Sequence, residues 1–364
     1  MFLQSEKSEV ILLVILLFGV DTKEELLPSH SLTLREIHLV RCLTYISHTY
    51  FAPGRSLVIS SPANYRDVQQ ELIAEILRTF IWPVVVTVDG NINKPNKTEF
   101  IDRDGSYIIL IPDGNIKSFQ VEFNGLADGR NNKFTRFWNS EARFVVAGAN
   151  EFSTSQQMDI LDYFSKFRIY NCIIVSQEHY VMDKGYSRNV KGNDVDTGMK
   201  LGVYTWFPYQ SSDRCTEVND ITLLDSWVIS AQGHFTKNTD LFPIKISNSF
   251  NGCPMKTVVR SSHWSLNAGY VNIRLPNGTL GWTVEGRDVD LLRVALQQMN
   301  LTFVLVPTPE GFEMETGLVQ NLIMAMIAKE AYIALGDVGN HLLLESYFGS
   351  TSTYNIFNVR WYVP

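Results

Sequence analysis

Several features that mark enzymes and metal proteins are missing from this chain of 364 residues. The 7 histidines are scattered, and no two of them stand four residues apart on one helix. No group of cysteines and histidines has the spacing of a zinc site. The chain also lacks a G-x-x-x-x-G-K-[ST] phosphate loop and a G-x-S-x-G nucleophile turn. We therefore expect no metal, no cofactor and no enzymatic activity.

Positive charge is also scarce, and this excludes a further class of function. The chain has 31 Lys and Arg against 38 Asp and Glu, which gives a formal charge of −7. It has no basic patch interleaved with aromatic residues, so a nucleic acid is not an expected partner. Hydrophobic residues make up 45% and charged residues 19%, which is the composition of a globular chain with an ample core.

Apolar runs of membrane-spanning length are absent after residue 20. The amino terminus holds one uninterrupted apolar run, residues 10–20, which has the length of a signal-peptide core. We interpret residues 1–22 as a signal peptide. A buried first strand or a mis-assigned start is the alternative.

Three N-x-T sequons agree with passage through the secretory pathway. They begin at Asn96, Asn277 and Asn300. Asn277 and Gly278 also predict a tight turn between two strands, which would expose a glycan.

The cysteines are few and even in number, which is compatible with two disulfides in an oxidising compartment. The candidates are Cys42, Cys172, Cys215 and Cys253. Four cysteines allow three pairings, and the sequence leaves the choice open. Four buried free thiols are the alternative.

Strand-like and helix-like segments alternate through residues 34–176, which predicts a three-layer α/β unit. The first strand is not followed by a Gly-rich turn, which argues against a nucleotide-binding unit. Residues 242–251 have the composition of a connector. We therefore place an amino-terminal α/β domain at 31–245 and a second domain at 246–364.

The second domain continues the alternation, and its clearest element is a helix that begins after Gly286. Its apolar residues recur at helical spacing. They are Val289, Leu292, Leu296 and Met299, with Leu291, Val294 and Ala295 widening the stripe. We therefore expect this helix to be well buried, and we expect Asp288 and Asp290 to form a solvated first turn.

Five stretches of this domain carry a family resemblance. They are KTVVR (256–260), YV (270–271), EGRDVDLLRVALQQMNLTF (285–303), AYIALGDVGN (331–340) and FGSTSTYNIFNVRWYVP (348–364). Together they resemble the first ligand-binding segment of ionotropic glutamate receptors, and most of all the arthropod variant ionotropic receptors used in chemosensation. The resemblance implies a periplasmic-binding-protein-like α/β amino-terminal domain, followed by a partial lobe of a type II periplasmic-binding-protein-like ligand-binding domain.

The resemblance also implies where a ligand would bind. Tyr270 matches a family aromatic that stacks over the ligand, although an ordinary half-buried strand tyrosine is an equal alternative. Asp337 and His341 follow the last strand, where binding contacts gather. Leu344 stands where the family holds its ligand's carboxylate with an arginine, and Gly349 stands where the family has an aspartate. An aliphatic side chain cannot replace the guanidinium fork, so we expect a ligand other than glutamate or glycine.

A complete receptor of this type closes a two-lobed clamshell on its ligand and so opens a cation-conducting pore. Family members assemble as heteromers with co-receptor subunits, so other ionotropic receptor subunits are the expected partners. The pore helices would follow Pro364, so we expect a fragment truncated before the pore that cannot conduct ions itself. It would lie on the extracellular side of the plasma membrane, or be secreted if the protein ends at Pro364. The alternative function is a secreted small-molecule-binding or decoy protein.

Overall fold

The computed structural model describes residues 32–78, 81–88, 105–127, 139, 141–178, 199–246, 248–259, 269–274, 279–306, 325–326, 328 and 330–335. The elements of the first part are α1 (Leu34–Tyr50), β1 (Leu57–Ser61), a 3-10 turn (Ala63–Tyr65), α2 (Arg66–Leu77), β2 (Val84–Val88), β3 (Ser106–Leu110), α3 (Ile116–Ala127), β4 (Arg143–Glu151), α4 (Thr154–Lys166), β5 (Cys172–Gln177), β6 (Lys200–Thr205), β7 (Thr222–Val228) and β8 (His234–Phe235). The second part contains β9 (Pro254–Val259), β10 (Gly269–Arg274), β11 (Leu280–Glu285), α5 (Arg287–Gln298), β12 (Thr302–Leu305) and β13 (Ile333–Leu335).

Strands β1 to β8 all join one sheet, in the order β2-β1-β3-β4-β5-β6-β7-β8. The pairs among the first five strands are parallel, and β6 to β8 extend the sheet by antiparallel pairs. The predicted α/β class is therefore confirmed, and this large, mostly parallel sheet is consistent with a periplasmic-binding-protein-like fold. We call it the large sheet.

Alternate residues of the parallel strands enter two separate cores, because successive side chains of a strand point to opposite faces. In β1, Leu57 and Ile59 pack with the apolar residues of α1 and α2. Val58 faces the other way, into the cluster that contains Phe119 of α3 and Phe164 of α4. Every residue of β1 is buried. The predicted three-layer arrangement is confirmed, with helices on both faces of the sheet.

Capping boxes begin two of the helices. Thr33 accepts a hydrogen bond from the backbone N–H of Glu36, and the Glu36 side chain accepts one from the backbone N–H of Thr33. Ser153 and Gln156 make the same pair of bonds at the start of α4. Each box satisfies two N–H groups that a helix start leaves without a partner.

The second part of the chain forms a three-stranded parallel sheet, β12-β9-β13, and a separate antiparallel hairpin of β10 and β11. The sequence predicts strands at 257–260, 281–285, 301–306 and 331–335, which lie close to β9, β11, β12 and β13, and it gives no bounds for β10. The hairpin flanks the turn predicted at Asn277 and Gly278, which itself lies outside the described residues. The sequence also predicts a helix over 318–328, and most of that segment lies outside the described residues.

The prediction of a well-buried α5 is wrong on one side of the helix. Val289 and Leu296 are buried, as expected. Leu291 and Val294 are 52% and 58% exposed. These two residues lie on the opposite side from the core face, and no described element covers them. The narrower stripe still packs the helix against the strands, because Val289 lies in one buried cluster with Val259 and Val284.

No helix in the part of the chain that the structure describes is both long and apolar enough to cross a membrane.

Candidate functional site

The first candidate site lies at the carboxyl edge of the large sheet, where the strand order reverses. The chain runs from β1 outward to β2 and then returns to β3 on the other side of β1. Open α/β sheets bind their ligands outside the carboxyl ends of the strands at such a reversal. The residues that end β1, β2 and β3 are therefore the first place to look for binding chemistry.

A buried chain of polar side chains crosses this edge. The Ser60 hydroxyl of β1 donates a hydrogen bond to Glu122 Oε2 of α3 at 2.5 Å. The Thr87 hydroxyl of β2 donates to Ser60 Oγ at 2.7 Å. All three residues are at most 1% exposed. The register explains the contact, because Ser60 and Thr87 are direct neighbours in the β1–β2 pair.

Polar groups of α2 and the adjoining turn bind backbone groups of β1, β2 and β4 from the opposite face. Gln69 donates from Nε2 to the backbone oxygens of Ile59 at 3.0 Å and of Thr87 at 2.9 Å. The backbone N–H of Ala149 donates to the Tyr65 hydroxyl at 3.2 Å, and burial raises the pKa of Tyr65 to about 12.

These groups hold the strand ends and helices together, and they are sealed from solvent. A sealed chain of hydroxyls and one carboxylate can position the backbone, but it offers no accessible nucleophile or base. Among the residues that the structure describes, no group of three or more His, Cys, Asp or Glu could hold a metal ion. No sequence motif marks this cluster, although Glu122 between the core residues Phe119 and Phe123 is a usable signal.

The second candidate site lies at the carboxyl edge of the β12-β9-β13 sheet. The three strands are parallel, so Val259, Leu305 and Leu335 end them at one edge. Helix α5 directly precedes β12, and its amino terminus therefore returns to this edge. Tyr270, the predicted ligand-stacking residue, pairs with Val284 in the hairpin that leads into α5.

The first turn of α5 differs from its prediction. Asp290 is solvated, with its side chain 72% exposed, and it forms a 3.5 Å ion pair with Arg293. Asp288 is instead only 6% exposed, so the prediction that it lies in solvent is wrong. Its Oδ1 has no hydrogen-bond partner within the described part of the chain, and Arg287 Nε lies 4.0 Å away. The helix amino terminus favours a carboxylate there.

Asp337, His341 and Leu344 lie outside the described residues, and for Tyr270 only the backbone is described. Their roles remain predictions.

One of the three predicted glycosylation sites is described. Asn300 is exposed directly after α5, in the left-handed conformation with φ 53°. Its side-chain Nδ2 donates to Ser249 Oγ at 3.2 Å. Asn96 and Asn277 lie outside the described ranges. Glycosylation at all three positions remains a prediction.

The structure contains one disulfide, between Cys215 and Cys253, where the sequence was compatible with two. Cys42 and Cys172 are free, so their prediction as disulfide candidates is wrong. Cys42 packs in the core on the α1 side of the large sheet, and Cys172 packs in the core on the other side. The sheet therefore separates them. Burial raises the pKa of both thiols, which keeps them protonated.

The sequence matches no protein-family model and no curated protein.

Proposed function

We propose that this chain is the extracellular ligand-recognition region of a chemosensory ligand-gated cation channel subunit of the arthropod variant ionotropic receptor type. One observation supports the proposal above the others. Strand β9, the β10–β11 hairpin, α5, β12 and β13 follow one another in the order that the resembled segment requires. The parallel sheet β12-β9-β13 brings its strand ends to the edge where such a segment would hold a ligand.

The other parts of the proposal follow from the resemblance. The large sheet takes the place of the amino-terminal domain, and a small organic molecule is the ligand. Binding would close this lobe against a second lobe and open a cation pore. Other ionotropic receptor subunits are the partners, and the chain lies on the extracellular side of the plasma membrane. The chain acts by binding, without catalysis.

Full-length sequencing of the transcript from antennae or mouthparts tests the proposal. We expect the reading frame to continue beyond Pro364 into apolar segments of about 20 residues, each long enough to span a bilayer. A stop codon directly after Pro364 in every transcript would exclude a channel subunit. That outcome would favour the alternative, a secreted small-molecule-binding or decoy protein.

Glutamate and glycine are expected to give no binding heat with the purified protein in isothermal titration calorimetry. The reason is Leu344, which stands where a receptor for these ligands places its arginine, because an aliphatic side chain cannot form paired hydrogen bonds with a carboxylate. Leu344→Arg, which introduces a guanidinium at this position, is the matched variant. Stoichiometric heat release from glutamate with the unchanged protein would contradict the prediction.

A further inference from the structure

A buried lysine fixes the connector between the two parts of the chain to the large sheet. Lys245 is 7% exposed, and its Nζ donates to the backbone oxygens of Tyr170 at 2.7 Å and Cys172 at 2.9 Å. It also donates to the hydroxyl of Thr205. The three donors of the ammonium group thus all have acceptors at the ends of β5 and β6. Burial lowers the pKa of Lys245, so the charged form of the side chain is stabilised by its hydrogen bonds to these oxygens.

A second attachment lies in the loop between β6 and β7. The Cys215–Cys253 disulfide joins this loop to the residue before β9. Asn251 donates from Nδ2 to the backbone oxygens of Tyr209 at 2.7 Å and Gln210 at 3.1 Å. The disulfide and these hydrogen bonds connect the same two segments, so the start of β9 has little freedom to rotate.

Aromatic contacts continue the attachment into the large sheet. The Tyr209 ring meets the Phe250 ring edge-on, with centroids 4.7 Å apart. The hydroxyl groups of Tyr209 and Tyr170 lie 3.3 Å apart, within hydrogen-bond distance. Tyr209 thus links the residues before β9 to Tyr170, which lies two residues before β5 of the large sheet. Edge-on pairs of this kind resist sliding because they depend on ring orientation.

A fourth contact lies beside β13. The guanidinium carbon of Arg168 lies 4.0 Å from the centroid of the Tyr332 ring, which is the geometry of a cation–π contact. Arg168 belongs to the turn between α4 and β5, and Tyr332 directly precedes β13. The contact therefore joins the large sheet to a different strand of the small sheet than the disulfide does.

We propose that these contacts form a rigid joint that holds the large sheet and the β12-β9-β13 sheet in one fixed arrangement. The attachments reach the connector, the start of β9 and the start of β13. A hinge needs a segment that can rotate freely, and here the segments that could serve as one are each tied to the large sheet. The two sheets then move together as one rigid body.

Distance measurement by electron spin resonance on the full chain tests the joint. Val121→Cys on α3 and Val294→Cys on α5 place maleimide-linked gadolinium tags on exposed sites of the two parts, which are 54% and 58% exposed. The native free thiols, Cys42 and Cys172, are fully buried and should resist labelling. We expect a single narrow distance distribution between the tags. A broad or multi-peaked distribution in the unchanged joint would overturn the proposal.

A second experiment repeats the distance measurement after the joint has been weakened. Cys215→Ser, Cys253→Ser and Lys245→Met, combined in the tagged protein, should at least double the width of the distribution. Ile244→Ser is the matched control, because Ile244 adjoins Lys245 and is 92% exposed, and it should leave the width unchanged. If the combined variant does not fold, reduction of the disulfide in the folded protein takes its place, since all four cysteines are described and only one pair is bonded. A distribution that stays equally narrow after these changes would show that the named contacts do not fix the arrangement.

Discussion

Replacing Asp225 by alanine is expected to lower the free energy of unfolding by about 3–6 kcal/mol, because three backbone N–H groups lose a charged acceptor inside the protein. Asp225 lies in β7 and is fully buried. Its carboxylate accepts from the backbone N–H of Ser226 at 2.8 Å, Lys237 at 2.9 Å and Thr239 at 3.0 Å. The Thr236 hydroxyl also donates to it at 2.9 Å. Thermal unfolding monitored by circular dichroism measures the loss, which should lower Tm by roughly 10 °C or more.

Asp220→Ala is the matched control for this variant. Asp220 precedes the same strand, its side chain is 70% exposed, and it forms only a 3.5 Å ion pair with Arg214. Exposed pairs of this kind contribute little, so a change within about 0.5 kcal/mol is expected. If the two alanine variants lose stability equally, the hydrogen bonds to Asp225 do not hold the segment after β8.

The same carboxylate makes stability depend on pH. Burial alone would raise the pKa of Asp225, but the hydrogen bonds from Thr239, Lys237, Ser226 and Thr236 outweigh it and hold the pKa below the ordinary 3.8. The unfolded chain therefore binds a proton more readily than the folded one. The contribution of Asp225 is complete well above pH 3.8, and it is lost as the pH falls through the folded-state pKa. Asp225→Asn should make the free energy of unfolding depend less on pH in this acidic range.

The sequence predicted the alternation of strands and helices closely, because most of the strands carry strong local signals. Residues 84–88 all carry β-branched side chains, and β2 begins and ends at the same two residues as this run. The antiparallel extension by β6 to β8 was not predictable in the same way. Which strands pair across the sheet depends on contacts between distant residues, and the pattern of any single strand does not encode them.

The cysteines show what local reasoning can and cannot decide. Cys42 stands at helical spacing with Leu39 and Ile46, so its place in the core was already encoded in the apolar stripe of α1. Cys172 opens an apolar strand in the same way. Cys215 and Cys253 lie outside the helices and strands, and they pack with Leu296 and Leu301 in a smaller core. Their pairing still required the structure, because the residues are 38 positions apart.

The buried charges were the least predictable feature of the candidate sites. Asp288 and Asp290 are two residues apart in one helical turn, yet only Asp290 reaches solvent. Their separation of two residues puts them on opposite sides of the helix, and the sequence does not show which side faces the sheet. Lys245 presents the same difficulty, because its three acceptors come from segments distant in the sequence.

Phe123→Ala is expected to lower the free energy of unfolding by about 3–5 kcal/mol, because it leaves a cavity in a closely packed aromatic core. Phe123 of α3 is fully buried. Four aromatic rings surround it with centroid distances between 4.9 and 5.6 Å, those of Phe119, Tyr163, Phe164 and Phe167. Urea unfolding, with the midpoint and slope fitted together, measures the change.

Val121→Ala on the same helix is the control that distinguishes a loss of packing from a change in helix propensity. Val121 is 54% exposed, and alanine is the better helix former, so that variant should be neutral or slightly more stable. Phe123→Leu should lose less than half as much as Phe123→Ala, since leucine fills more of the space. Equal losses from Phe123→Ala and Val121→Ala would mean that the rings do not anchor α3. That anchoring matters for the carboxyl edge of the large sheet. Glu122 lies between Val121 and Phe123 in α3, and it reaches Ser60 only while the helix stays in place.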